Sequence, residues 1–285
     1  MGRQKIAELY SASALEIERP QPLSDRKIEK LIEDILFKKV EHDITDQIYE
    51  DFKIEMINWL TSSTLNRLIG LDKFNRIDIC NGCTQFIDSI YMKTTPQILL
   101  GDYRYHERLN TDLQYSKPGE LLENVPLLIA MPFPSTGTPH LQMEEILQEC
   151  LEKNIDVYID GAWITCSRDI NFDFSHPAIK EVGISLSKGL GLGWNRIGLR
   201  WSNLISADSI SIMNDFHMNN RALTIIGLYF IRNLSSDYLW KIHGSSYYKI
   251  CSDFNLMPTN AIHLAIRENF PVGVSPLIRY LETDV

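Results

Sequence analysis

The sequence predicts an α/β fold, a mostly parallel sheet covered by helices on both faces, followed by a small α+β segment. Three observations predict it. Short apolar runs recur through the first two thirds of the chain, at RIDIC (76–80), QILLGD (97–102), PLLIAMPF (126–133), DVYID (156–160) and VGISLS (182–187). Amphipathic stretches of helical period lie between them, such as TQFIDSIYM (84–92) and LQMEEILQECLEK (141–153). Continuous apolar strands alternating with helices are buried on both faces, which is the pattern of a parallel sheet. After residue 208 the pattern turns mostly helical, and two short strands, near AIHLAI and PLIRYLE, close the chain.

Taken in order, residues 24–38 read as a helix with Ser24 as N-cap and Ile28, Leu31, Ile32, Ile35 and Leu36 on one face. A second helix runs from Asp46 to Thr61, with Ile48, Phe52, Met56, Trp59 and Leu60 as its apolar positions. The stretch 214–231, NDFHMNNRALTIIGLYFI, reads as buried helix. This gives an N-terminal helical segment over 1–45, a large α/β domain over 46–207 and a small C-terminal domain over 208–285.

The 285 residues are 44% hydrophobic and 23% charged, an ordinary globular composition with enough chain for a sizeable core. A formal net charge of −9 supplies no global field for nucleic acid or an anionic membrane. The N-terminal residues lack the pattern of a signal peptide, and no apolar run reaches membrane-spanning length, so a soluble cytoplasmic protein is expected. Five scattered cysteines suggest reduced thiols, and the Cys80–Cys83 pair lacks the two further ligands of a zinc site, so no metal is expected.

In open parallel sheets, ligands bind outside the carboxyl ends of the strands. The residues there include Gly82, Cys83 and Thr84; Asp102 to Tyr105; Pro134; Asp160 to Trp163; and Ser185 to Lys188. The run SLSKGLGLGWNRIG (185–198) fits neither nucleotide template. A phosphate loop needs a glycine before its lysine, where Ser187 stands, and the dinucleotide fingerprint fails at Trp194 or Arg196. A lysine at a strand end can instead form a Schiff base with an aldehyde. Pyridoxal 5'-phosphate is the aldehyde whose needs the neighbours meet. Ser185, Ser187, Arg196 and the Gly82–Cys83–Thr84 turn supply phosphate ligands, Asp160 a carboxylate for the ring nitrogen, and Tyr105 an aromatic cover. Each residue also has a plainer reading: Asp160 as a helix cap, Arg196 in a surface ion pair, Tyr105 (or Tyr103) in core packing.

Those segments, in order over residues 45–205, resemble the aspartate-aminotransferase-like family of fold-type I pyridoxal-phosphate enzymes. NGCTQFI is similar to its glycine turn, GDYRYHERL to its aromatic segment, MPFPSTG to its Asn-Pro-x-Asn-Pro-Thr-Gly loop, and DVYIDGAW to its Asp-x-Ala-Tyr strand end. SLSKGLGLGWNRIG is similar to its lysine signature, with Arg196 eight residues after Lys188. The resemblance implies that Lys188 bonds the cofactor and moves the α-proton, and that Asp160 holds the pyridinium. It gives Cys83 the place of a more usual hydroxyl. Two positions depart from the family: Pro134 replaces an asparagine and Trp163 a tyrosine, both of which serve the ring oxygen there. VGVSPLIRYLE resembles the family's last strand, which would make Arg279 the anchor of the substrate carboxylate, against a simple structural arginine. The resemblance thus implies a homodimeric enzyme acting on an amino acid or related amine, most simply an aminotransferase. A decarboxylase, lyase or cyclase is the alternative, and a non-catalytic binding protein of the same fold is the third.

Overall fold

The computed structural model describes residues 23, 25–37, 45–113 and 115–278. Helix α1 covers Arg26–Phe37. Ile28 and Leu31 on its apolar face are buried, and Asp25 accepts the Ile28 amide at 2.8 Å as a local cap. The Ser24 cap and the Leu36 side chain lie outside the described residues. Helix α2, Gln47–Thr61, buries all five apolar positions expected from its sequence. It packs against a later helix and against the two strands that follow it.

Strand β1 (Arg67–Ile69) precedes β2 (Arg76–Cys80), which leads directly into α3 (Gly82–Tyr91). The apolar run at 97–102 yields only a two-residue strand, β3 (Ile98–Leu99). Leu100 is exposed and Gly101 turns the chain with φ of +94°. A short helix α4 (His106–Leu109) and β4 (Tyr115–Ser116) follow. Then come β5 (Leu127–Ala130), α5 (Met143–Glu152) and β6 (Val157–Asp160), every strand residue of which is buried. Strands β7 (Asn171–Asp173), β8 (Ile179–Ser185) and β9 (Gly198–Ser202) complete the α/β part.

Among the described residues five of these strands form the central sheet, in the order β2-β9-β8-β6-β5. Strands β5, β6 and β8 are parallel, and β9 is antiparallel to both its neighbours, so β2 runs the same way as the parallel three. Strand β9 is absent from the apolar runs of the sequence because its centre is Arg200, which the fold buries completely.

The stretch 214–231 is not one helix. Helix α6 (Ser209–Asp215) ends two residues into it, and α7 (Arg221–Asn233) starts anew with Asn220 accepting the Leu223 amide at its N-terminus. His217 between them has a positive φ of 52°, which a continuous helix cannot contain. Helix α8 spans Tyr238–Asp253. The small closing sheet is β10 (Met257–Pro258), β11 (Leu264–Arg267) and β12 (Phe270–Gly273), all antiparallel. Its last strand lies earlier than expected: PLIRYLE does not start a strand, since residues 275–278 are helical. No described helix is long and apolar enough to cross a membrane.

Candidate active site

The carboxyl ends of β2, β6 and β8 meet on one edge of the sheet, and the chain entering β9 passes the same edge. Gly198 is the register partner of both Cys80 and Ser185, so Arg196, two residues earlier, emerges between them.

Three groups there make an anion cradle. Gly82, at the N-terminus of α3, has φ of +74°, and a Cβ on it would lie 3.2 Å from Arg196 Nη2 and 3.3 Å from Ser187 Oγ. Only glycine opens that space, and the helix N-terminus favours negative charge within it. Arg196 is fixed by donating Nη2 to Thr84 Oγ1 at 2.7 Å and Nε to the Asn81 carbonyl at 3.3 Å. Ser187 Oγ is buried and has no hydrogen-bond partner among the described residues. A buried hydroxyl of that kind is rare and points to a bound group.

Asp160 ends β6 and is 5% exposed. Burial pushes its carboxyl up to about 6; the adjacent Cys83 thiol, the Ala162 amide donating at 3.0 Å, and the Arg196 and Lys188 charges hold it from rising further. The acid is therefore mostly ionised above pH 7, beside two cations. Lys188 is half-buried, and its ammonium acts on Asp160, Cys166 and His263 alike. The turn carrying it is pinned at Gly189, where a Cβ would fall 2.3 Å from the Thr165 carbonyl. Thr165 in turn donates to the Ser185 carbonyl at 2.9 Å, locking the 164–166 turn to the end of β8.

The remaining predicted residues take less uniform places. Cys83 is buried against β8, donating to the Gly183 carbonyl at 3.4 Å and lying beside Ser185 and Asp160. Burial holds its thiol protonated. Tyr105 is half-buried, tied by its hydroxyl to Asp88 Oδ1 at 2.7 Å and within reach of the Arg196 charge. Trp163 is buried with its ring edge-on to His263. Pro134 occupies the turn after Phe133 and brings no donor. Arg279 lies outside the described residues.

Two groups were given no role by the sequence, Asp102 although it stands among the strand-end residues and His263 altogether. Asp102 is buried, accepts the Ala130 amide at 3.0 Å and the Tyr103 amide at 2.6 Å, and is pushed up to about 7 by burial, with Asp160 adding to the rise. Its position after β3 was the available signal. His263 gives none, because its partners Trp163 and Cys166 lie about a hundred residues away. Among the described residues no cluster of metal-ligating side chains occurs. A surface hollow of about 420 Å³ between α2 and α7, lined by Glu55, Trp59 and Arg232 among others, holds none of the groups above. The chemistry, not the hollow, locates the site.

Together these groups can hold an anion at Gly82, Ser187 and Arg196, a cationic ring at Asp160 and a carbonyl carbon at Lys188. No family model matches the chain, and no curated protein matches it. Solved structures do. An aromatic aminotransferase from Pyrococcus horikoshii shares 16% identity and a TM-score of 0.60, over 92% of this chain and 81% of its own. A pyridoxal-phosphate-bound C-S lyase from Staphylococcus hominis shares 12% identity and a TM-score of 0.60, over 94% and 86%. An L-threonine-O-3-phosphate decarboxylase from Porphyromonas gingivalis shares 12% identity and a TM-score of 0.58, over 87% and 80%. At such identities the likeness is one of shape, and this chain has the fold common to that aminotransferase, lyase and decarboxylase.

Proposed function

We propose that this chain is a pyridoxal-phosphate-dependent enzyme acting on an amino acid or related primary amine, most simply an aminotransferase. One observation carries the reading: an amine (Lys188), a buried acid (Asp160) and an anion cradle (Gly82, Ser187, Arg196) converge at the carboxyl ends of the parallel strands. The residues fit the cofactor, since the Ser187 hydroxyl, without a partner among the described residues, and the space above Gly82 suit a phosphate. Bound there, the protonated pyridine ring supplies an electron sink for charge developing beside an amine nitrogen.

The chain's own groups then have distinct tasks. Arg196, Ser187 and the first turn of α3 fix the phosphate. Asp160 keeps the proton on the ring nitrogen, because an ionised carboxylate in a buried site favours its cationic partner. Lys188 Nζ holds the aldehyde carbon and is the base and acid for a proton moved at the substrate's α-carbon. Tyr105, tethered to Asp88, covers the ring. The substrate is a small amine or amino acid, and a homodimer is part of this reading.

A second reading, a decarboxylase, lyase or cyclase, is favoured by Pro134 and Trp163. Pro134 brings no hydrogen-bond donor where the family has an asparagine, and the Trp163 indole N–H can donate but cannot ionise as a tyrosine does, so control of the ring oxygen differs from that of the usual pair. The test is direct. Purified protein supplied with pyridoxal phosphate should develop a visible absorbance band that Lys188→Ala abolishes. Amino donors offered with 2-oxoglutarate then separate keto-acid formation from carbon dioxide release. A protein that stays colourless rejects the whole reading.

A further inference from the structure

His263 precedes β11 and is 1% exposed. Its ring meets Trp163 edge-on, with centroids 4.6 Å apart and planes at 89°. Nδ1 lies 3.2 Å from Cys166 Sγ, whereas Nε2 has no hydrogen-bond partner among the described residues. Burial and the Lys188 ammonium both hold the ring neutral. A neutral imidazole has one N–H and one bare nitrogen, and its surroundings choose between them.

The Trp163 carbonyl makes that choice. It already accepts the Cys166 amide at 3.1 Å and the Ser167 hydroxyl at 2.7 Å, which fills its two lone pairs. The Cys166 thiol lies 3.2 Å from that oxygen, to which it can also donate, and 3.2 Å from His263 Nδ1; with the carbonyl already accepting two bonds, we infer that the thiol proton goes to Nδ1. That assignment puts the ring proton on Nε2. A buried N–H without an acceptor is costly, and a ligand atom would relieve it. Beside the Lys188 ammonium the acceptor that fits is negatively charged.

Resting on the cofactor reading above, we propose that His263 is a ligand-positioning residue that donates Nε2–H to an anionic oxygen of the small molecule held at Lys188. Two oxygens have this chemistry, the phenolic oxygen of the cofactor ring and the carboxylate of an amino-acid substrate. The experiment separates them. In protein labelled with ¹⁵N-histidine, the His263 signals are assigned by their loss in His263→Phe, and the ligand-free protein should show the Nε2–H tautomer. If the ring oxygen is the acceptor, pyridoxal phosphate alone moves that signal. If the carboxylate is, it moves only when an unreactive α-methyl amino acid follows. His263→Phe should weaken the corresponding ligand roughly 10- to 100-fold, and His263→Asn, which retains an N–H donor, should restore part of that loss. An Nδ1–H tautomer, a signal unmoved by either ligand, or unchanged affinities in folded His263→Phe would overturn the inference. If borohydride fixes no cofactor to Lys188 in the native chain, the cofactor reading fails and this inference with it. If it does so equally in native and variant protein, with equal affinities, the inference alone fails.

Discussion

Two buried polar clusters lie on the same sheet and are built on opposite terms. The first joins β2 and β9 to α6. Arg200, fully buried, donates Nη2 to Asp78 at 2.6 Å and Nη1 to Asp208 at 2.5 Å, and Ser211 adds a third bond. Arg76 reaches the same Asp78 at 2.8 Å, and Lys93 bridges Glu181 and Asp208. Arg200 holds the Asp208 carboxyl well below its ordinary value. The second cluster, at the strand ends, holds an acid raised by burial, and a hydroxyl and an imidazole nitrogen without partners among the described residues. The first neutralises its charges internally, leaving Arg200 Nε as its unpartnered atom among the described residues, and locks α6 to the sheet. The second has no such network of ion pairs among the described residues, and its open Ser187 hydroxyl borders the Gly82 cradle, which is what separates a binding site from a structural network.

Breaking the ion-pair cluster should have the largest effect on stability. Arg200→Leu leaves Asp78 and Asp208 facing each other with less counter-charge, at a cost of about 3–5 kcal/mol in chemical denaturation. Cofactor affinity of the folded fraction should hardly change.

The open cluster should respond in the reverse sense. The Asp160 carboxyl moves from 3.8 to about 6 on folding, so the fold favours its protonated form. Its contribution is fully present below about pH 4 and is lost as pH rises through 6. Asp160→Asn removes that loss. Without cofactor, the variant should match the native protein near pH 4 and exceed it by up to about 3 kcal/mol near pH 7, while losing cofactor affinity. A variant less stable than the native protein at neutral pH would place Asp160 among the structural residues.

Gly82→Ala should cost about 1–3 kcal/mol, because alanine is strained at a positive φ, and its methyl group would also crowd the cradle. Ser187→Ala sharpens the comparison at its smallest scale. Removing a buried hydroxyl that has no partner should leave thermal stability within about 1 kcal/mol, while a phosphate dianion binds roughly tenfold more weakly.

Much of this was legible in the sequence where neighbouring residues carry the signal. The apolar positions of α2, the runs ending at Cys80 and Asp160, and the glycine-flanked Lys188 depend on local period and strand-end logic. The failures have a common physical origin. Arg200 disguises β9 because a charged residue is read as exposed unless its partners Asp78 and Asp208 are known, and those come from other elements. Leu100 belongs by composition to a strand that Gly101 ends. The break at residues 216–220 rests on His217 adopting a positive φ, a conformation that sequence does not announce. Cys166 and His263 meet only through the tertiary fold, so the histidine could not be told from a packed one.

The central claim is that Lys188 is the point of covalent attachment, and reductive trapping tests it most directly. Protein incubated with pyridoxal phosphate, reduced with borohydride, digested and mapped by mass should carry one stoichiometric pyridoxyl group, on the peptide containing Lys188. The group should be missing from Lys188→Ala and retained in Arg200→Leu that remains folded. Label spread over exposed lysines, or the same yield without Lys188, would contradict the account.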